Sequence, residues 1–182
     1  MSNKQRITSA NMVLAGSGGQ GIQFASKLLA TAGMKNGRQV TWLPSYGAEM
    51  RGGTSNCSVV ISEDFIGSPH VVKPNILIVM NLPSYLKFIE KAEPGGAVFI
   101  DSSLIGVKCE RGDLDAHYVP ATRIAYENDL KGLANVIMIG RAIAVTGIFT
   151  PEEIEAAFPS AKAELFEANK RALAIGYGYS GE

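Results

Sequence analysis

The chain has 182 residues, of which 46% are hydrophobic and 19% charged, a composition typical of an ordinary globular domain. Lys and Arg together number 17, as do Asp and Glu, so the net charge gives no electrostatic reason to expect nucleic acid or an anionic membrane as partner. Two Cys and two His, with no close spacing, are too few for an iron–sulfur cluster or a zinc site held by this chain alone.

The beginning of the chain carries no visible targeting signal. Lys4 and Arg6 are not followed by an apolar core, and the uncharged stretch 7–26 is interrupted by polar residues and glycines. We therefore expect a cytoplasmic protein without a membrane helix. No linker, repeat or low-complexity tract divides the sequence, so residues 1–182 are expected to form a single domain.

The first half of the chain alternates between apolar runs and glycine-containing turns. Strands are predicted at 12–15, 39–43 and 56–62, with an amphipathic helix at 19–36 between the first two. We expect Pro44 to end the second strand, because proline cannot donate to a strand ladder. A short edge strand is predicted at 65–72.

The second half continues the alternation and then becomes helical. Strands are predicted at 76–80, 97–101 and 113–121, and helices at 82–92, 135–146 and 162–175. In the helix 82–92, Leu82, Leu86 and Ile89 are expected to face inward. Thr150, Pro151 and Glu153 fit a capping box at a further helix start. This order predicts an α/β fold, a single Rossmann-like, doubly wound and mainly parallel sheet with helices on both faces.

A glycine-rich turn, which we call the glycine loop (residues 16–21), follows the first strand and precedes the first helix. Its glycines allow a tight turn and close approach to a phosphate, and the helix start adds free N–H groups. A dinucleotide site would need an acid at the end of the second strand, whereas the first acid is Glu49. No Lys follows Gly21, which excludes a Walker-type loop. A phosphate site, a contact between subunits and close strand–helix packing all remain open.

A second amide-rich stretch, which we call the second loop (residues 45–56), separates the second and third strands. Arg51 could pair with a ligand phosphate, with a partner carboxylate or with Glu49. Thr54, Ser55 and Asn56 could donate to phosphate oxygens or serve ordinary turn chemistry. Gly52 and Gly53 would permit close backbone approach.

The two loops together resemble the gamma subunits of the 2-oxoacid:ferredoxin oxidoreductases. The resemblance rests on Gly16-Ser17-Gly18-Gly19-Gln20-Gly21 and on Ser45-Tyr46-Gly47-Ala48-Glu49-Met50-Arg51-Gly52-Gly53-Thr54. It continues through Ile66-Gly67-Ser68-Pro69 to Asn135 and Gly140, and so covers essentially the whole chain. Ala48 departs from the family, which commonly has Pro at that position.

The resemblance implies a role in the CoA-dependent conversion of a 2-oxoacid to acyl-CoA and carbon dioxide with reduction of ferredoxin. It places thiamine diphosphate and Mg in alpha and beta subunits, and 4Fe-4S clusters in beta or a ferredoxin-like delta subunit. The gamma subunit carries no catalytic residue or metal ligand, binds no cofactor alone and helps to hold CoA at the subunit interface. The first substrate it suggests is 2-oxoglutarate, followed by 2-oxoisovalerate and pyruvate.

The residues expected to contact CoA come from both loops and from the helix 135–146. They are Gly18, Gly19, Gln20, Gly21, Arg51, Gly52, Gly53, Thr54, Ser55, Asn56 and Asn135. Two other functions remain open. One is a structural subunit without ligand contacts, and the other is an independent nucleotide-binding oxidoreductase. The lack of an acidic residue at the end of the second strand argues against the latter.

Four further residues have simple structural interpretations. Asn81 and Asp101 follow central strands, where open sheets bind ligands, but each could instead cap the helix after it. Asn135 is expected to cap its own helix. Cys57 lies in a strand and is expected to be a small core residue rather than a nucleophile.

Overall fold

The computed structural model describes residues 9–45, 54–159 and 162–181 of the chain. Six strands form one sheet in the order β2-β3-β1-β4-β5-β6. In chain order the strands are β1 (Ser9–Ser17), β2 (Gln39–Ser45), β3 (Thr54–Ser62), β4 (Ile76–Val79), β5 (Ala97–Asp101) and β6 (Asp115–Val119).

Helices connect β1 to β2 and β4 to β5, and further helices complete the carboxyl-terminal part of the fold. In chain order they are α1 (Ile22–Lys35), α2 (Leu82–Phe88), α3 (Ala121–Glu127), α4 (Ala134–Thr146), α5 (Pro151–Glu155) and α6 (Ala163–Gly178). A 3-10 turn, Ile89–Lys91, continues α2. At the start of α5 both reciprocal bonds of the predicted capping box between Thr150 and Glu153 are present.

The sheet is mixed but mostly parallel, which confirms the predicted α/β class. Strands β1, β4, β5 and β6 run parallel, and β3 runs antiparallel to both neighbours, β1 and β2. The reversal follows from the short connection over residues 46–53, because a parallel crossover needs a dozen residues or more. Alternation of strands and helices along the sequence does not reveal this hairpin.

The alternating side chains of the strands divide the core into two layers. Met12 and Leu14 of β1 belong to the larger layer, with buried residues of α1, α4 and α6. Val13 and Ala15 belong to the smaller layer, with buried residues of α2. Helices therefore cover both faces of the sheet, as predicted. Successive side chains along a strand point to opposite faces and so contribute to the two layers in turn.

Two predictions about strands are wrong beyond small shifts of their boundaries. Pro44 lies inside β2 instead of ending it, opposite Cys57 of β3. Because β2 is the outermost strand, a residue without an N–H group is tolerated there. Residues 65–72 form bends and irregular backbone rather than a strand, and Phe65 is 90% exposed. Gly67 and Pro69 both disfavour a regular ladder in this segment.

The buried face of α2 also differs from the prediction. Leu82 and Leu86 are 37% and 62% exposed, whereas Tyr85 and Phe88 are buried in the smaller core layer. Ile89 is buried as predicted. The helix is only seven residues long, so hydrophobic spacing alone does not identify its inner face.

Helices α4 and α6 cross with their backbones in close contact. A Cβ at Gly176 would overlap the carbonyl oxygen of Ile137, and a Cβ at Gly140 would lie 2.7 Å from the backbone N of Tyr177. Both neighbours are backbone atoms, so neither can move aside without displacing its helix. Glycine at both positions is therefore a packing requirement of this helix pair.

We expect Gly176→Ala to lower the free energy of unfolding by about 3 kcal/mol, because the added methyl group forces the two helices apart. Gly178→Ala is the matched control in the same helix, since a Cβ there meets no atom within 4 Å. The control should stay within about 1 kcal/mol of the parent chain. Urea unfolding followed by circular dichroism compares the two, and equal stabilities would refute close packing at Gly176.

Candidate functional site

The carboxyl edge of the parallel strands brings the two loops together. Ser17, the last residue of β1, is paired with Thr54, the first residue of β3. Ser45, the last residue of β2, is paired with Asn56. The residues that flank segment 46–53 therefore lie at the edge where the glycine loop begins.

This edge contains the switch point of the sheet. From β1 the chain passes through α1 to the side of β2, and from β4 it passes through α2 to the opposite side. Open α/β sheets bind ligands in the crevice at such a point, outside the carboxyl ends of the strands. The crevice here lies between β1 and β4.

The side chain of Gln20 bridges the two strands that border the crevice. Its Oε1 accepts a hydrogen bond from the N–H of Ser17 at 2.6 Å, and its Nε2 donates to the carbonyl oxygen of Met80 at 2.8 Å. Both ends of the Gln20 amide are thus engaged within the protein. Any contact of Gln20 with a ligand would be secondary to this internal role.

Asn81 adds a second link across the same crevice. Its Oδ1 accepts a hydrogen bond from the N–H of Ser84 at 3.0 Å, which confirms the predicted cap of α2. Its Nδ2 donates to Oγ of Ser17 at 2.6 Å. One amide therefore begins a helix and holds the end of β1.

The outer part of the glycine loop presents its backbone to solvent. Gly18 and Gly19 are exposed, and their N–H groups donate to no acceptor in the described part of the chain. Gly19 and Gly21 have positive φ angles of 89° and 70°, which favour glycine. Helix α1 begins directly after Gly21, and the first N–H groups of a helix lack intrahelical acceptors. These donors suit a phosphate or another anion.

Asn135 fixes the loop from the other side. It is 3% exposed, and its Nδ2 donates to the carbonyl oxygen of Gly21 at 3.0 Å. The prediction that it caps its helix is wrong, because α4 begins at Ala134 and Leu133 occupies the cap position. Asn135 instead joins the larger core layer to the glycine loop.

Of the residues predicted in the second loop, three are described. Thr54, Ser55 and Asn56 form the half-buried start of β3, opposite Ser17, Gly16 and Ala15. Arg51, Gly52 and Gly53 lie outside the described residues, so their roles remain predictions. The structure thus places the described end of the second loop beside the glycine loop.

Two polar residues at this edge were not anticipated from the sequence. Lys87 of α2 places its Nζ 3.4 Å from Oγ1 of Thr54. The side-chain amide of Gln23, in the first turn of α1, has both polar atoms buried without a partner among the described residues. The proximity of Lys87 to Thr54 depends on the rotation of a short helix, which sequence spacing does not fix.

The remaining candidate residues have structural roles. The buried carboxylate of Asp101 accepts hydrogen bonds from Oγ1 of Thr122 at 2.5 Å and from the N–H of Ser103 at 3.1 Å, so it holds the start of α3 and the preceding turn. Cys57 is fully buried, and burial raises the pKa of its thiol. A neutral, inaccessible thiol agrees with a core residue rather than a nucleophile.

Two kinds of feature are absent from the residues that the structure describes. No group of three or more His, Cys, Asp or Glu side chains is arranged to hold a metal ion. None of the described helices combines the length and the apolarity needed to cross a bilayer.

Comparison with known proteins identifies related chains. The pattern of the pyruvate ferredoxin/flavodoxin oxidoreductase family matches residues 11–179. The chain is 36% identical over 174 residues to ketoisovalerate oxidoreductase subunit VorA of Methanothermobacter thermautotrophicus, covering 93% of this chain but only 36% of that protein. It is 35% identical over 181 residues to 2-oxoglutarate synthase subunit KorC of Methanocaldococcus jannaschii, covering 97% and 96%.

A solved structure extends the comparison to the fold. The gamma subunit of a keto/oxoacid ferredoxin oxidoreductase from Geobacter sulfurreducens PCA superposes with a TM-score of 0.79 at 28% identity. The superposition covers 92% of this chain and 95% of that subunit.

We expect Gly21→Ala to lower the free energy of unfolding by about 2 kcal/mol, because alanine is strained at a φ of 70° and its Cβ would overlap Nδ2 of Asn135. Gly18→Ala is the control, since a Cβ at that position meets nothing within 4 Å. It should unfold within about 0.5 kcal/mol of the parent. Thermal unfolding distinguishes the variants, and a Gly21→Ala chain as stable as the control would contradict the described loop.

Proposed function

Because the chain belongs to the pyruvate ferredoxin/flavodoxin oxidoreductase family, we propose that it is the gamma subunit of a multi-subunit 2-oxoacid:ferredoxin oxidoreductase. The chain spans about a third of the ketoisovalerate relative, but nearly the whole of the 2-oxoglutarate synthase subunit KorC. That full-length similarity favours 2-oxoglutarate as substrate, with 2-oxoisovalerate and pyruvate as the alternatives.

The convergence of the glycine loop and the start of β3 at the switch point carries this proposal. The edge offers free N–H groups, hydroxyls and the Lys87 ammonium, which suit the phosphates of CoA. In contrast, β2 ends in Trp42-Leu43-Pro44-Ser45 and provides no carboxylate for the ribose of a nicotinamide cofactor. CoA therefore fits the described edge better than NAD or FAD does.

The decarboxylation and the electron transfer are assigned to other subunits. The two Cys are a buried core residue and a half-buried one, and the described residues include no cluster of metal ligands. On the basis of the family membership we propose alpha and beta subunits with thiamine diphosphate and Mg, and 4Fe-4S clusters in beta or a ferredoxin-like delta subunit. Ferredoxin would be the acceptor and the cytoplasm the location. This chain would present CoA to the thiamine site and be inactive alone.

Purification of the chain from its native cells without oxygen tests the assembly. We expect mass spectrometry to identify thiamine-binding alpha and beta subunits in the eluate. Activity of the eluate with 2-oxoglutarate, 2-oxoisovalerate and pyruvate would then identify the oxoacid. A chain that elutes alone and binds a nicotinamide or flavin would instead support an independent oxidoreductase.

Titration of CoA into the assembled complex tests the ligand role. We expect Gly18→Ala and Arg51→Ala each to weaken CoA binding by about tenfold, through obstruction of the glycine loop and loss of a cation respectively. Because a Cβ at Gly18 meets no protein atom, its effect on affinity would reflect the ligand rather than the fold. Unchanged CoA affinity in both variants would contradict the CoA role and would support the alternative, a structural subunit without ligand contacts.

A further inference from the structure

Lys87 is an exposed cation beside the candidate site. Its Nζ lies 3.4 Å from Oγ1 of Thr54, and within the described residues it makes no ion pair with a carboxylate. Its ammonium also lies 5.7 Å from the centroid of the Phe88 ring, within the range of a cation–π contact. An ammonium group has three donors, so at least two remain for another acceptor.

The contact with Thr54 brings this charge close to the free N–H groups of the glycine loop. Thr54 is paired with Ser17, the residue immediately before Gly18. Paired residues of antiparallel strands lie roughly 5 Å apart at their Cα atoms. The Lys87 ammonium and the N–H groups of Gly18 and Gly19 therefore lie at the same end of β1.

The hydroxyl of Thr54 completes the arrangement. Its oxygen accepts the hydrogen bond from Lys87, so its own proton remains free to be donated. A cation, a hydroxyl donor and free backbone N–H groups at one strand end match an anion with more than one phosphoryl group.

We propose that Lys87 pairs with the diphosphate of CoA, with one phosphoryl group on the glycine loop and the next on Lys87 and Thr54. This assignment rests on the proposed function. It makes Lys87 a binding residue that acts on the phosphates and leaves the reacting thiol end of CoA untouched. Lys87 would thus distinguish CoA from shorter thiols that lack the nucleotide.

Binding measurements on the assembled complex test the assignment. We expect Lys87→Ala to weaken CoA binding roughly three- to tenfold at low salt and by less at high salt, because the pair is exposed to screening. Lys87→Arg keeps the charge and should remain within about twofold of the parent. Inorganic pyrophosphate should compete with CoA less effectively in Lys87→Ala, whereas binding of phosphate-free pantetheine should not change.

Lys91→Ala is the matched control. Lys91 lies one turn further along, with its ammonium 5.5 Å from the centroid of the same Phe88 ring. It makes no described contact with Thr54, so the control should bind CoA like the parent. Lys87→Gln serves as a second neutral variant if Lys87→Ala fails to assemble.

The outcomes separate this inference from the proposed function. If Lys87→Ala binds CoA as tightly as Lys91→Ala while Gly18→Ala still weakens it, the Lys87 assignment is wrong and the CoA role stands. If none of these variants changes CoA affinity, the CoA role itself fails. Equal losses for pantetheine and CoA would show that Lys87 acts through the fold, which also overturns the assignment.

Discussion

The hydrogen bonds of the Gln20 amide hold together the edge on which the candidate site is built. Where β1 and β4 separate, the N–H of Ser17 and the carbonyl oxygen of Met80 lie at the end of the strand ladder and need partners. Gln20 satisfies both, Asn81 binds the hydroxyl of Ser17, and Asn135 binds the carbonyl oxygen of Gly21. The glycine loop is thus fixed by three amide side chains, and Gly18 and Gly19 are left facing outward.

Local signals in the sequence predicted much of this architecture. Contacts between residues far apart in the chain could not be predicted from those signals. The capping box at Thr150 and the cap at Asn81 depend on residues three positions apart, so a short sequence pattern is enough to predict them. The contact between Asn135 and Gly21 joins residues 114 positions apart, and a helix cap was the simpler local interpretation. The antiparallel direction of β3 likewise depends on pairing that periodicity does not encode.

The wrong inner face of α2 and the overlooked Lys87 have one cause. If Leu86 faced the core, as the sequence predicted, Lys87 would be an ordinary solvent-exposed residue. In the structure Tyr85 and Phe88 are buried instead, and Leu86 is 62% exposed. This rotation aims Lys87 across β1 toward Thr54. In so short a helix, two aromatic side chains determine the orientation by the larger area that they bury.

The proline inside the outermost strand has a consequence for how the sheet meets other molecules. An unpaired edge is a template on which a foreign strand can add, and such addition leads to aggregation. Pro44 removes one backbone donor from β2, and a strand interrupted by proline is a poorer template for pairing. Pro44 therefore disfavours growth of the sheet beyond β2 by addition of a strand from another molecule.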